Sequence, residues 1–271
     1  MRHWGDLRQR VLTAALLGPA ALLCVWLGGL WWAALMALCV AGLAWEWVRL
    51  CGGSTRALPG ALVGAVVLMA GAAAVLGRPG LGLLILALGA PATWYVARTA
   101  PGARPFWLAF GILYIGLAGI ALVALRHDGL VGRDNVIFLF LVVWASDIAA
   151  YAAGRSLGGP KLAPAISPNK TWSGALGGLI GASAVGLGVA WGLGAGGSPA
   201  TILLVSALLG IATQSGDMLE SWIKRRFGVK DSSGLIPGHG GLLDRLDGVL
   251  AAAPLAALIG AAAGAGVHLW R

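Results

Sequence analysis

The sequence predicts an all-α, polytopic membrane helix bundle of about nine transmembrane helices, with the N-terminus cytoplasmic and the C-terminus periplasmic. Three observations predict it. The 271 residues are 59% hydrophobic and only 11% charged, with a mean hydropathy of +0.86, whereas a soluble domain is about 45–50% apolar. Apolar runs of roughly 20 residues, each able to cross a ~30 Å hydrocarbon core as a helix, recur along the whole length. The cations fall unevenly on the two sides of the bundle that those runs define.

Arg2, Arg8 and Arg10 precede an apolar run from Val11 to Leu30. No small-residue cleavage site followed by a polar chain comes after it, so a retained first helix is expected rather than a signal peptide. A second span covers 31–48. Near its end Glu46 stands between Trp45 and Trp47, and because tryptophans favour the membrane interface, Glu46 is expected there as an interfacial residue, a functional role being the lesser alternative. Further spans are expected at 57–77, 81–97, 106–125, 135–153, 173–195, 200–220 and 249–270. Small residues four apart, such as Gly177 and Gly181, suit close helix packing and identify no function. The chain reads as one integral membrane domain, 1–271, with N-terminal helices in 1–130 and the catalytic helices and cytoplasmic loops expected in 131–271.

With the N-terminus inside, Arg2, Arg8, Arg10, Arg49, Arg56, Arg98, Arg104, Arg155, Lys161, Lys170, Lys224, Arg225, Arg226, Lys230 and Arg245 lie on the inner side. Only Arg78, Arg126, Arg133 and Arg271 lie outside, which is fifteen against four of the nineteen cations. That asymmetry sets the orientation. It also accounts for the net charge of +9 without nucleic acid, since no polar domain gathers the cations into a surface that could receive a duplex. Cys24, Cys39 and Cys51 form no CxxC pair, so neither disulfide nor metal is read there.

Charge is concentrated in residues 213–248, which hold Asp217, Glu220, Asp231, Asp244 and Asp247, half of the ten carboxylates. They also hold Lys224, Arg225, Arg226, Lys230 and Arg245. Ionisable groups beside apolar segments are costly and mark a functional site by default; an ordinary basic loop with helix caps is the bland alternative. Asp217, Glu220 and Lys224 fall at i, i+3 and i+7, one face of a helix ending near Arg226. A loop follows in which Pro237-Gly238-His239-Gly240-Gly241 lets the backbone approach a ligand. Asp244 and Asp247, three residues apart, then offer the oxygen ligands that Mg²⁺ prefers beside phosphate. Lys and Arg for phosphate oxygens, Asp for Mg²⁺ and glycines for close approach are what nucleotide phosphate chemistry requires.

Two upstream stretches join this site. Asp147, Tyr151 and Arg155 recur every four residues along one helical face, with an Asp147–Arg155 pair as the plain alternative. In the loop before the next helix, Pro168 bars regular helix, and Ser167, Asn169, Lys170 and Thr171 offer donors at a helix N-terminus, a natural anion site.

Ser221-Trp222-Ile223-Lys224-Arg225, then Lys230-Asp231, Pro237-Gly238-His239-Gly240-Gly241 and Asp244-Arg245-Leu246-Asp247 resemble the signature of the phosphatidate cytidylyltransferases, or CDP-diacylglycerol synthases. The Asp147…Tyr151…Arg155 segment and Ser167-Pro168-Asn169-Lys170-Thr171-Trp172 are similar to the same family, so the likeness covers roughly 144–248, with a weaker echo at Glu46-Trp47. Ser173, where the family commonly has Glu or Gln, and Gly248, where it commonly has Ser, depart from the pattern.

The resemblance implies transfer of CMP from CTP to phosphatidic acid, giving CDP-diacylglycerol and pyrophosphate at the cytoplasmic face of a bacterial inner membrane. It implies Mg²⁺, a second cation such as K⁺ that Asp147 or Glu220 could help to hold, and a homodimer. Asp217, Asp244 and Asp247 are then the metal-binding candidates. Lys170, Lys224, Lys230 and Arg245 are the phosphate candidates, and Arg225, Asp231 and Gly240 complete the substrate-binding set. His239 either donates to a phosphate or orders the glycine turn. Two rivals stand beside this. A CDP-alcohol phosphotransferase shares Asp244-x-x-Asp247-Gly248-x-x-Ala251, but here Ala252 replaces an Arg and no acid follows Asp247. A transporter would distribute ionisable residues near mid-bilayer in two related halves.

Overall fold

The computed structural model describes residues 18–271 apart from 52, 195, 237 and 239. Among the described residues there are nine helices: α1 (Gly18–Leu27), α2 (Gly29–Leu50), α3 (Leu58–Val75), α4 (Pro79–Arg98), α5 (Pro105–Arg126), α6 (Gly129–Leu157), α7 (Trp172–Gly192), α8 (Pro199–Arg226) and α9 (Leu243–Ala263). Eight of them, α2 to α9, are long and apolar enough to span a bilayer. Of the first expected span, residues 11–17 lie outside the described residues and 18–27 are helical.

The polypeptide forms two compact units. The first comprises residues 1–124 and 227–246. Its core is built on Trp47, fully buried, whose indole Nε1 donates to the Trp107 carbonyl at 2.7 Å. Gly111 makes that possible: a Cβ there would lie 2.1 Å from the same nitrogen. Phe110 and Tyr114 pack against the Trp47 ring with centroids 5.8 and 5.7 Å away. An aromatic cluster of this kind anchors the end of α2 and so fixes where the next side chain back, Glu46, can sit.

The second unit comprises residues 125–226 and 247–271. Here α6 and α7 lie against each other with almost no side chain between them, because a Cβ on Gly177 would be 2.3 Å from that of Ala153 and one on Gly181 2.4 Å from that of Ala149. This is the small-residue packing expected of Gly177 and Gly181.

Two helices begin earlier than hydropathy places them. The helix expected from 135 starts at Gly129, and that expected from 249 starts at Leu243. In α6 the polar residues that depress hydropathy are paired off: Asp134 accepts from Arg133 Nε at 3.0 Å, and Asn135 Oδ1 accepts from Leu269 N. The last residues fold back onto this end, and Trp270, fully buried, lies 4.4 Å from Phe138 between ring centroids.

The segment between α6 and α7, read as a plain loop, is a short antiparallel hairpin of β1 (Lys161–Ala163) and β2 (Ser167–Thr171), with Lys161 opposite Thr171 and Ala163 opposite Ser167.

Candidate active site

In the second unit a cavity of about 550 Å³ gathers most of the upstream candidates. Helix α6 supplies Asp147, Tyr151 and Arg155 from successive turns, β2 supplies Asn169, Lys170 and Thr171, and α8 supplies Gln214 and Asp217. The hairpin sets this geometry. Thr171 ends β2 in extended conformation and caps α7, its Oγ1 accepting from Gly174 N, so strand passes into helix without slack and Lys170 is held one residue before the cap. Thr171 Oγ1 therefore serves the backbone as well as lining the cavity.

Lys170 Nζ lies 2.5 Å from Asp217 Oδ2, with both side chains partly exposed. Asp147, Asp217 and Asp247 are close enough to repel one another, and Lys170 attracts Asp147 and Asp247 as well. Asp247 Oδ1 accepts from Gly248 N at 2.8 Å. The guanidinium of Arg155 donates to the Tyr151 hydroxyl at 3.1 Å. Gln214, unassigned from sequence, donates Nε2 to the Ala175 carbonyl and ties α8 to α7 at the cavity wall. Its position three residues before Asp217 on the same helical face was the available signal.

Lower on α8, Glu220 is buried and pairs with Lys224 at 2.7 Å. The shared face expected for Asp217, Glu220 and Lys224 exists because α8 is continuous to Arg226. Removing one partner of a buried pair leaves an uncompensated charge. Lys224→Met is expected to destabilise the solubilised protein by roughly 3 kcal/mol, read as a lowered Tm, and adding Glu220→Gln should restore most of the loss. Arg225 Nε donates to the Ile166 carbonyl at the hairpin turn, 3.4 Å away. Ser167 stays in the ladder of β2.

In the first unit the glycine-rich loop is ordered by two carboxylates. Asp244 Oδ2 accepts from Gly241 N at 2.9 Å and from Ser232 N and Oγ at 3.0 Å each. Glu46 accepts from Leu242 N at 2.8 Å and Leu243 N at 2.7 Å, and from the hydroxyls of Ser233 and Ser232. Glu46 is fully buried, and its partners are protein N–H and O–H groups. Its acceptor capacity is consumed by the first N–H groups of α9, which would otherwise be orphans. Gly240 adopts φ +89 and bridges to Ile236. Lys230, Asp231 and Arg245 are exposed; His239 lies outside the described residues.

The two departures have local accounts. Ser173 donates to the Gly158 carbonyl and sits 2.9 Å from Thr171 Oγ1, so it secures the junction of hairpin and helix. A Cβ at Gly248 would lie 2.7 Å from Thr213 Cγ2, which leaves no room for a serine unless Thr213 moves.

Among the described residues, no three His, Cys, Asp or Glu side chains are grouped tightly enough to hold an ion by themselves. Mg²⁺ does not need that, since it usually takes one or two carboxylates and completes its shell with water and phosphate oxygens. The mutual repulsion at Asp147, Asp217 and Asp247 is what a divalent cation would relieve, so the donor set fits the ion.

Long apolar helices with a charged cavity and an ordered glycine loop define a polytopic membrane protein with a polar site. The model of the cytidylyltransferase family matches residues 8–262, and the chain belongs to that family. It is similar to proteins named phosphatidate cytidylyltransferase. One from Brucella suis biovar 1 (strain 1330) is 42% identical over 256 residues, 94% of either chain. One from Pseudomonas aeruginosa PAO1 is 37% identical over 277 residues, covering 96% of this chain and 99% of the relative. One from Staphylococcus haemolyticus is 43% identical over 144 residues, about half of each.

Proposed function

We propose that this membrane protein transfers CMP from CTP to phosphatidic acid, forming CDP-diacylglycerol and pyrophosphate. Family membership together with the cavity lined by Asp147, Lys170 and Asp217, where Lys170 pairs with Asp217, supports it most directly. A phosphomonoester is largely dianionic near pH 7, its second pKa being about 6. It is already a nucleophile, and no Ser, Cys or His nucleophile is required of the protein.

The phosphatidate oxygen attacks the α-phosphorus of CTP, the new P–O bond forms as the bond to the β-phosphate oxygen breaks, and pyrophosphate leaves. What opposes the step is repulsion between two anions, so the protein contributes mainly by positioning and charge neutralisation. Phosphate binding is assigned to Lys170, Lys224, Lys230 and Arg245. Asp217 and Asp247 would hold Mg²⁺, which when bound supplies further neutralisation of phosphate charge; Asp244 is proposed as a metal-binding residue on the strength of the sequence resemblance. Asp147 or Glu220 would serve a second cation such as K⁺. The family match gives no support to a CDP-alcohol phosphotransferase or a transporter.

Acyl chains leave the bilayer only at about 0.8 kcal/mol per CH₂, so the phosphate must be met at headgroup depth. Exposed Ile148, Tyr151 and Leu157 on α6, with Trp172 at the start of α7, flank the cavity lining and support a lateral entry there. The cation asymmetry supports a site on the cytoplasmic side of a bacterial inner membrane, and a homodimer is part of the same proposal.

Purified protein in detergent with CTP, phosphatidate and Mg²⁺ is expected to release pyrophosphate and form CDP-diacylglycerol. Release that does not depend on phosphatidate, or no release, refutes the proposal.

A further inference from the structure

Glu46 is separated in sequence from every element of the glycine-rich loop, yet both of its oxygens are spent on it. Oε1 accepts from Leu242 N and the Ser233 hydroxyl, and Oε2 from Leu243 N and, at 3.4 Å, the Ser232 hydroxyl. Every partner that the described residues give it is a neutral N–H or O–H. Such a carboxylate contributes no ion pair, and burying it completely is costly unless its lone pairs are filled, as here. The loop is shaped to fill them: a Cβ on Gly241 would lie 2.9 Å from Glu46 Oε1 and 1.9 Å from Ser232 Oγ, so only glycine permits the approach. Ser232 in turn donates its N–H to Asp244, and its single hydroxyl proton lies between the two carboxylates, 3.0 Å from Asp244 Oδ2 and 3.4 Å from Glu46 Oε2. One serine thus stands between the carboxylate on α2 and the carboxylate proposed to serve the reaction.

We infer that Glu46 is a positioning residue: from α2 it holds Ser232, Ser233, Leu242 and Leu243 in the conformation that orients Asp244, without itself touching substrate. This rests on the function proposed above. Glutamine is the informative substitution. It keeps the volume, but both oxygens of Glu46 accept from backbone N–H groups, so the new amide NH₂ must face a donor whichever way it turns.

Glu46→Gln is expected to lower kcat by about 10- to 100-fold, the size usual for groups that orient a functional side chain, and to leave KM for CTP and phosphatidate within about threefold. The amides of Ser232, Gly241, Leu242 and Leu243 should exchange with deuterium faster, while those of α3 and α4 keep their protection. Ser233→Ala, which removes one donor and leaves the buried carboxylate, should show the same pattern more weakly, and Glu46→Asp should recover part of kcat. Unchanged exchange in the loop overturns the inference, and so does faster exchange with unchanged kcat. The exchange measurement needs no turnover, so wild-type protein without activity would count against the proposed function and leave the tether itself open to decision.

Discussion

Asp217→Asn is expected to lower phosphatidate-dependent pyrophosphate release by at least about 100-fold, comparable to loss of a single preorganised electrostatic group in an active site. The substitution is nearly isosteric, so the packing of α8 survives, but it removes the negative charge that faces Lys170 at 2.5 Å. It also removes one of three mutually repelling carboxylates, a repulsion that a divalent cation would relieve under the proposed mechanism. The Mg²⁺ concentration for half-maximal rate should rise with the loss of kcat. Activity within about threefold of the wild type, with unchanged Mg²⁺ dependence, takes Asp217 out of the reaction.

Lys170→Met should act through a different term. It keeps the length of the side chain and removes the cation that pairs with Asp217 and attracts Asp147 and Asp247. Truncating one partner of a close charge pair costs about 2–5 kcal/mol in binding. Because both side chains here are partly open to water, the lower end applies, roughly a 30-fold loss of kcat/KM. KM for an anionic substrate should carry most of it. The carboxylates left behind repel one another, so Tm should fall at low ionic strength and recover when Mg²⁺ is added. In the double variant with Asp217→Asn the stability loss should be smaller than the sum of the two single losses, because the pair is coupled. A strictly additive result means that Lys170 and Asp217 do not interact in solution.

The helices were legible because apolar runs of membrane length have few other uses, and the boundaries failed where that logic fails. Residues 129–134 and 243–248 are helical although they carry Arg133, Asp134, Asp244 and Asp247. A sliding hydropathy window sees charge, while the fold sees Asp134 already matched by Arg133 and Asp244 already matched by the loop. The cavity candidates on α6, β2 and α8 were legible through i, i+4 spacing and through a proline that forbids helix. The hairpin was not, since three- and five-residue strands leave too little alternation to read. Nor was the role of Glu46, because a tryptophan-flanked acid near a helix end has a common explanation, and its true partners lie far along the sequence.

The separation between those partners has a consequence for biosynthesis. Glu46 and Ser232 are 186 residues apart, and at about 5–20 residues per second a ribosome needs roughly 10 to 40 seconds to make the stretch between them. Through that interval α2 waits with an acid whose permanent hydrogen-bond donors have not been translated, and an acid near a helix end can meanwhile stay at the water boundary. The nascent chain must therefore keep that end of α2 wet and close it only when the last sixth of the protein arrives.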